Sequence, residues 1–442
     1  MKKQSIKIVF LLMIFLIIRL GYSQEVVKPS EAIALALVNN YGIIIANNTL
    51  DIAENNKSVF NSGYLPTLTG NAGATYNRDS GRTEFNNEFE PRVISGAESS
   101  RYNANINLNY TLFDGLGRHY DYKRLKEEFN LSELQARETI ENTIAQLLTV
   151  YYDIARRSEN LKSLDETLDI SNDRLTRAEY QFEYGQNTML DVLNAEVDIN
   201  NDSINVINAR QSLINAKRDL NFVTGNNIPQ EFAVDTTITF LLELNKEDLM
   251  NKMNRNNVSL IQNEKNIAIN EFILKANKSG YLPTVGLTGT YGWNETNNNA
   301  ANIVALTTTT GLSAGINFSW NLFDGGGTIT RVKNAQINLA NQKLIKEQLK
   351  QDIERNFNNA WDDYQNKLRI FNVQQDNIIT AKNNFVRTQE KFKLGQVTSI
   401  EFRQAQLNLL SSELARNQAK YDAKLAEVAV LQISGELLNV QF

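Results

Sequence analysis

The chain's one histidine, His119, follows Arg118 near the start of a helical pattern, where a surface position is expected. Nucleophilic catalysis needs a base held beside an activated Ser, Cys or Lys, and no Ser/His/Asp or Cys/His set is present. There is no cysteine, which excludes thiolate metal sites, disulfides and a lipid-modified N-terminal cysteine. With five methionines and one histidine, a soft-metal relay lacks ligands. Asp and Glu are abundant, but they lie in stretches dense in Lys and Gln, the pattern of solvated helix faces. Catalysis, a metal and a cofactor are therefore not expected. A net charge of −5 gives no support for a nucleic-acid partner.

What the sequence offers instead is motifs that come in pairs. Ser62-Gly63-Tyr64-Leu65-Pro66-Thr67 returns as Ser279-Gly280-Tyr281-Leu282-Pro283-Thr284. Leu112-Phe113-Asp114-Gly115 returns as Leu322-Phe323-Asp324-Gly325, and Gly185-Gln186-Asn187-Thr188 as Gly395-Gln396-Val397-Thr398. The copies stand about 210 residues apart in the same order, the mark of an internal duplication. The fold must then be two copies of one unit, each reading helix, strand, loop, strand, very long helix, turn, helix. Such a pseudo-symmetric object more often encloses something than cleaves it.

The first residues read as a targeting segment. Lys2, Lys3 and Lys7 precede an apolar run, Ile8 to Ile18, too short to span a bilayer, and small residues Gly21 and Ser23 suit cleavage after Ser23. Residues 1–23 are thus a signal peptide and the protein is exported. In the first copy, Pro29-Ser30 opens a helix with Ser30 as its cap, and a second helical segment runs from Gly42 to Asn61. Pro66 then stops helix formation and the period changes from 3.6 to 2.

In the strand regions one face carries Tyr102, Ala104, Ile106, Leu108, Tyr110 and Leu112, and the other Asn103, Asn105, Asn107, Asn109 and Thr111. The second copy sets Leu312, Ala314, Ile316, Phe318, Trp320 and Leu322 against Ser313, Gly315, Asn317, Ser319 and Asn321. A half-buried soluble sheet alternates in this way too. An uncharged polar face, with Tyr and Trp near the ends of the apolar one, favours a membrane barrel with water inside and aromatic girdles outside. Strand pairs are expected at about 66–76 with 102–112, and 283–293 with 312–322. The insertion from Arg78 to Arg101 is expected to be an external loop. Four strands cannot close a barrel, and an open sheet edge in hydrocarbon costs several kcal/mol per unpaired group. Several chains must therefore share one barrel.

Two helical stretches are far longer than an average globular helix. No proline or glycine falls between Gly117 and Glu183, a run of about 100 Å at 1.5 Å per residue. Ile140, Leu147, Ile154, Leu161, Leu168, Leu175 and Phe182 keep a seven-residue beat, as do Phe357, Tyr364, Phe371, Ile378, Phe385 and Phe392. This predicts long helices packed with coiled-coil-like seams. Return helices end near Gly225 and Gly435, which suit C-cap positions. The expected division is a first repeat over 24–225 with its hairpin at about 116–224, a linker over 226–244, and a second repeat over 245–442 with its hairpin at about 327–434. Helix lengths suit a long tube wall below a small barrel.

These residues together resemble the TolC family of outer-membrane efflux proteins, across nearly the whole chain. The Ser-Glu-Ala-Ile-Ala-Leu-Ala opening from Ser30 carries the resemblance along with the three paired motifs. It implies an α+β membrane protein: a homotrimer whose four strands per chain make a twelve-strand outer-membrane barrel, continuous with a long periplasmic α-helical barrel. It also places Pro66 and Pro283 where helix becomes strand, and Asp114-Gly115 and Asp324-Gly325 at the reverse transition. There glycine allows the bend and aspartate caps the long helix.

By the same resemblance, Tyr184, Gly185, Gln186 and Thr188, with Leu394, Gly395, Gln396 and Thr398, form periplasmic hairpin tips that meet an adaptor protein. Just beyond them, Glu401 and Gln404, with Asp191 and Asn194 in the first copy, are the implied gate. Three Glu401 side chains around a narrow pore attract cations and raise one another's pKa. Gln404 departs from the family's more acidic pattern and lowers the ring's charge.

The function so implied is a passive exit duct in the outer membrane of a Gram-negative bacterium. A periplasmic adaptor recruits it and an inner-membrane transporter of RND, ABC or MFS type supplies the energy. Outer-membrane lipid surrounds it, and its cargo is drugs, small toxic compounds or a secreted protein. A periplasmic adaptor requires lipoyl-like β domains flanking a single hairpin. A trimeric adhesin requires its barrel strands once, at the C-terminus. The duplicated hairpins and interior strands fit neither.

Overall fold

A computed structural model describes residues 26–86, 89–229, 231–241 and 244–442; the expected signal peptide lies outside the described residues. In chain order the elements are β1 (Val26–Val27), α1 (Pro29–Asn39), α2 (Tyr41–Asn56), β2 (Thr67–Thr83), β3 (Arg92–Phe113), α3 (Gly117–Glu183) and α4 (Met189–Val223). Next come β4 (Ala233–Val234), α5 (Lys246–Asn256), α6 (Val258–Lys278), β5 (Thr284–Asn298), β6 (Leu306–Ser319), α7 (Gly327–Lys393) and α8 (Ser399–Ile433). From α1 to α4 and from α5 to α8 the order of elements is the same. None of the described helices is by itself long and apolar enough to cross a membrane.

Helix ends follow local chemistry. The chain leaves α3, α4, α7 and α8 through Gly185, Gly225, Gly395 and Gly435, each with φ between 70° and 75°. At each, the glycine N–H and the next N–H bond back to carbonyls inside the helix, as Gly185 to Phe182 (2.9 Å) and Gln186 to Gln181 (2.7 Å). Orphan carbonyls are thereby satisfied where the helix stops. Ser30 is not the cap of α1. Pro29 occupies the first helical turn, where its missing N–H costs nothing, and Glu31 reaches back to the backbone N–H of Lys28 at 3.0 Å. The segment expected over Gly42 to Asn61 divides into α2 and a 3₁₀ turn at Val59–Asn61.

Two compact units can be distinguished, and each takes pieces from both sequence copies. One comprises Thr49–Glu133 and Gln262–Glu347 and contains a four-stranded antiparallel sheet in the order β2-β3-β5-β6. Register aligns the alternation across all four strands: Ile106 pairs Gly70 and Tyr291, and Tyr291 pairs Leu312. The opposite face carries a ladder of amides and hydroxyls, with Asn71 donating to Asn105 (3.1 Å), Asn107 to Asn105 (2.9 Å) and Thr290 to Asn107 (2.8 Å). Period 2 thus gives the sheet one mainly apolar face and one polar face of amides and hydroxyls on which Arg101 is the charged residue where all four strands run side by side. The outer strands β2 and β6 each keep one unpaired edge within the chain.

The expected loop from Arg78 to Arg101 is mostly strand. Pairing of β2 with β3 continues past a bulge between Asp79 and Gly81 to Thr83 with Arg92. Ladder hydrogen bonds sustain the hairpin here despite its polar residues, and it projects beyond β5 and β6. His119 is likewise less exposed than expected: its Nδ1 lies 3.3 Å from the Tyr64 hydroxyl, and it is half-buried.

The other unit takes in the described chain up to Asn48, Leu134–Ile261 and Gln348–Phe442. Its largest core joins Leu147, Tyr151 and Ile154 of α3 to Leu220 of α4 and to Tyr421 and Leu431 of α8. A second core sets Phe357 and Tyr364 of α7 against Leu249 and Met253 of α5 and Val430 of α8. Leu147, Ile154, Phe357 and Tyr364 of the seven-residue beats are thus buried, while Phe182 at the far end of the first beat is exposed. The parallel pair β1–β4 ties the start of the described chain to the linker. Residues 236–241 of that linker are strapped to α8. Lys420 donates to the Thr236 carbonyl (2.8 Å), Lys424 to the Thr239 carbonyl (2.9 Å), and the Leu241 N–H donates to Glu427 (3.3 Å).

Candidate functional site

The paired motifs occupy three kinds of place. Pro66 and Pro283 immediately precede β2 and β5, where no ladder donor is lost. Asp114 accepts from the Arg118 N–H and from Arg118 Nε, both at 3.0 Å, at the start of α3. Asp324 does the same for α7, accepting from the Thr328 N–H (2.7 Å) and hydroxyl (2.6 Å). Those Thr328 bonds hold the Asp324 carboxyl below the usual carboxylate range. Gly115 is required twice over: its φ is +69°, and a Cβ there would meet the Ser279 carbonyl oxygen at 2.7 Å. Gly325, at φ +67°, has nothing near its missing Cβ. The motifs share a backbone need but not the same packing.

At the hairpin tips Gly185 and Gly395 turn the chain, and Thr188 and Thr398 start the next helices. Glu401 accepts from the Thr398 N–H (2.8 Å) and hydroxyl (2.9 Å), while the Glu401 N–H donates back to that hydroxyl (3.2 Å). Asp191 likewise accepts from the Thr188 hydroxyl at 2.7 Å. These are capping boxes, two reciprocal bonds at each helix start. Tyr184 and Leu394 stand exposed beside their glycines, at 76% and 73%. Gln186 and Gln396 are also exposed.

The implied gate residues do not all face one space. Asp191, Asn194 and Gln404 line a single cleft of about 310 Å³, together with Arg174, Asp198 and Arg403. Glu401 is exposed and engaged in its capping box. The Thr398 N–H and hydroxyl hold its carboxyl below the usual range. The raised pKa expected of Glu401 depends on copies facing one another; contacts within the chain act in the opposite direction.

Behind the tips lies a network that the motif reading missed. Arg403 makes a two-pronged contact with Asp202, Nη1 to Oδ2 at 2.7 Å and Nη2 to Oδ1 at 2.8 Å. Ser171 donates to the same carboxylate at 2.6 Å. Gln406 reaches the Thr167 carbonyl (2.8 Å) and Ser171 (3.0 Å), and Arg174 pairs with Asp198. Asp202, Ser171 and Gln406 are all buried, so α3, α4 and α8 are joined here by polar rather than apolar side chains. A signal was present: Ser171 falls three residues after Leu168, and Asp202 three after Ile199 of the beat Val192, Ile199, Val206, Leu213 and Leu220 on the return helix, both alternate seam positions of a heptad. Toward the tip, Phe392 stacks on Phe402 at 4.6 Å, and Arg177 lies over Phe392.

An amphipathic sheet joined to pairs of very long capped helices is the build of an outer-membrane efflux channel. The solved outer-membrane channel CmeC of Campylobacter jejuni shares this fold with a TM-score of 0.76 and 17% identity, over 92% of this chain and 86% of that one. The chain belongs to the outer membrane efflux protein family, whose model matches residues 32–226 and 249–436. Among relatives, the outer membrane efflux protein BepC of Brucella suis is 20% identical over 412 residues, 92% of this chain and 86% of that protein. Outer membrane protein TolC of Vibrio cholerae is 22% identical over 387 residues, covering 85% of this chain and 83% of its own length. The protein is thus placed in a family of transport channels.

Proposed function

We propose that the protein works as a homotrimeric, passive exit duct in the outer membrane of a Gram-negative bacterium, with a large periplasmic part. The observation that carries this reading is the four-stranded sheet: mainly apolar on one face, lined by amides and hydroxyls on the other, with an unpaired edge on each side. Hydrocarbon does not tolerate such edges, and three chains supply twelve strands, enough to close around water. The exposed tips at Tyr184–Thr188 and Leu394–Thr398 suit docking of a periplasmic adaptor, which links the duct to an inner-membrane transporter of RND, ABC or MFS type. Asp191, Asn194, Glu401 and Gln404 then form the constriction at the tips, opened by a conformational change that the adaptor biases. The cargo is a drug, a small toxic compound or a secreted polypeptide.

Planar-bilayer recording of the purified protein tests this. The expected result is a small cation-selective conductance that rises when Glu401 is changed to Ala. A protein that stays monomeric in detergent and forms no channel refutes the duct.

A further inference from the structure

The polar face of the sheet carries one charge among its described residues where all four strands run side by side. Thr67, Thr69, Asn71, Asn103, Asn105, Asn107, Thr288 and Thr290 line it in register, none of them ionisable. The exception is Arg101, which pairs with Thr75 on β2 and Thr296 on β5, while Thr296 pairs with Thr307 on β6. This is the outermost polar row that all four strands complete. In the next, Ser99 pairs with Asn77 and Asn298, and the β5–β6 ladder has already ended at Asn297 with Leu306. Arg101 therefore stands at the rim of the sheet remote from Pro66 and Pro283.

Its charge is uncompensated. On the same hairpin Arg78 pairs with Glu98 at 3.6 Å and Arg82 with Glu84 at 2.7 Å, and Arg92 stands at the far start of β3, nine residues out from Arg101. No described carboxylate lies within ion-pairing distance of Arg101, and its side chain is exposed. Glu98 and Glu295 belong to the apolar-face rows, with Arg78 and Tyr102. Asp79 shares the parity of the polar face, but it lies two rows further out, about 13 Å, on the projecting hairpin.

We propose that Arg101 is a specificity-determining residue, and that its three copies form a cationic collar at the outer mouth of the barrel that favours anionic cargo. This rests on the trimeric-channel reading. Twelve strands spaced about 4.8 Å and tilted about 40° enclose a backbone cylinder about 24 Å across. Its axis lies about 12 Å from the wall, comparable with the Debye length of about 10 Å in 0.1 M salt. Three long guanidinium side chains projecting inward therefore set the potential at this outer mouth, whereas the cation selectivity expected of the duct is set by Glu401 at the tips. Asn, Ser and Thr alone hold no ion, whereas a guanidinium ring attracts carboxylates and phosphates and prefers multivalent ones.

The test is block of the wild-type channel by tripolyphosphate, added first to one side of a planar bilayer and then to the other. Block is expected at low concentration from one side only. Arg101→Gln and Arg101→Thr, the latter matching its row neighbours, are expected to raise the half-blocking concentration about tenfold. Arg101→Lys should stay within about twofold of wild type, since it keeps the charge. The open conductance of each variant reports that it has folded. Unchanged block in either neutral variant that conducts overturns the collar, and so does equal block from both sides of the wild type. A wild-type protein that forms no channel overturns the channel reading, and the collar with it.

Discussion

A Cβ on Gly435 would stand 2.5 Å from the carbonyl oxygen of Asn256, whereas one on Gly185 would meet nothing within 4 Å. Both glycines hold φ near +70° and end a helix in the same way. Backbone strain alone should make Gly185→Ala cost about 1 kcal/mol. Gly435→Ala adds a clash with fixed backbone and should cost about 3 kcal/mol. Thermal melting in detergent checks the ranking: the Gly435 variant should melt clearly below the Gly185 variant. Equal midpoints refute the claim that α8's end packs tightly on the end of α5. The sequence shows both as C-cap glycines, since that need is local. That only one of them is packed against another backbone depends on which helix ends meet, and no local pattern encodes that.

At the scale of elements, the strap between the 236–241 linker and α8 turns on a buried pair. Lys424 and Glu427 lie 3.1 Å apart and are 5% and 0% exposed. Burial pushes the Glu427 carboxyl up, and Lys424 works against that rise. Lys424→Met leaves the carboxylate buried and unpaired, and should destabilise by about 3 kcal/mol at neutral pH. With its folded pKa above the unfolded one, Glu427 binds more protons folded than unfolded between the two values. Stability therefore rises as pH falls through that window, and the Met variant should regain part of its loss on mild acidification. Melting temperature against pH measures this. A Met variant whose deficit is the same at neutral and mildly acidic pH sinks the pairing argument. The sequence marks 226–244 as a linker because it contains Pro229 and lacks the heptad. It does not show that the linker's backbone is held by Lys and Glu side chains of a helix some 180 residues away.

At the scale of the whole molecule, the proposed closure by three copies rests on the two unpaired sheet edges. Detergent-extracted protein should show three chains by native mass spectrometry. Single cysteines introduced along β2 and β6 should cross-link only between chains, which the absence of native cysteine makes unambiguous. Cross-links confined to one chain, or a mass of one chain, refute closure by copies.

Short-range chemistry is legible in the sequence alone. Side-chain period separates strands from helices. The absence of Gly and Pro between Gly117 and Glu183 permits one unbroken helix, and paired Gly, Asp and Thr motifs mark its ends. The apolar face of each strand can be read because a two-residue period needs no partner to define it. Register and burial are non-local. Only the folded chain sets β3 beside β5, so that strands from the two copies form one sheet and Arg101 joins the last complete polar row. It also continues the β2–β3 hairpin through residues whose composition suggested a loop, because ladder hydrogen bonds outweigh weak strand propensity. Likewise, only packing brings Asp202, Ser171 and Arg403 together at heptad seams. The heptad puts Ser171 and Asp202 at seam positions, but it does not show that they meet each other and Arg403.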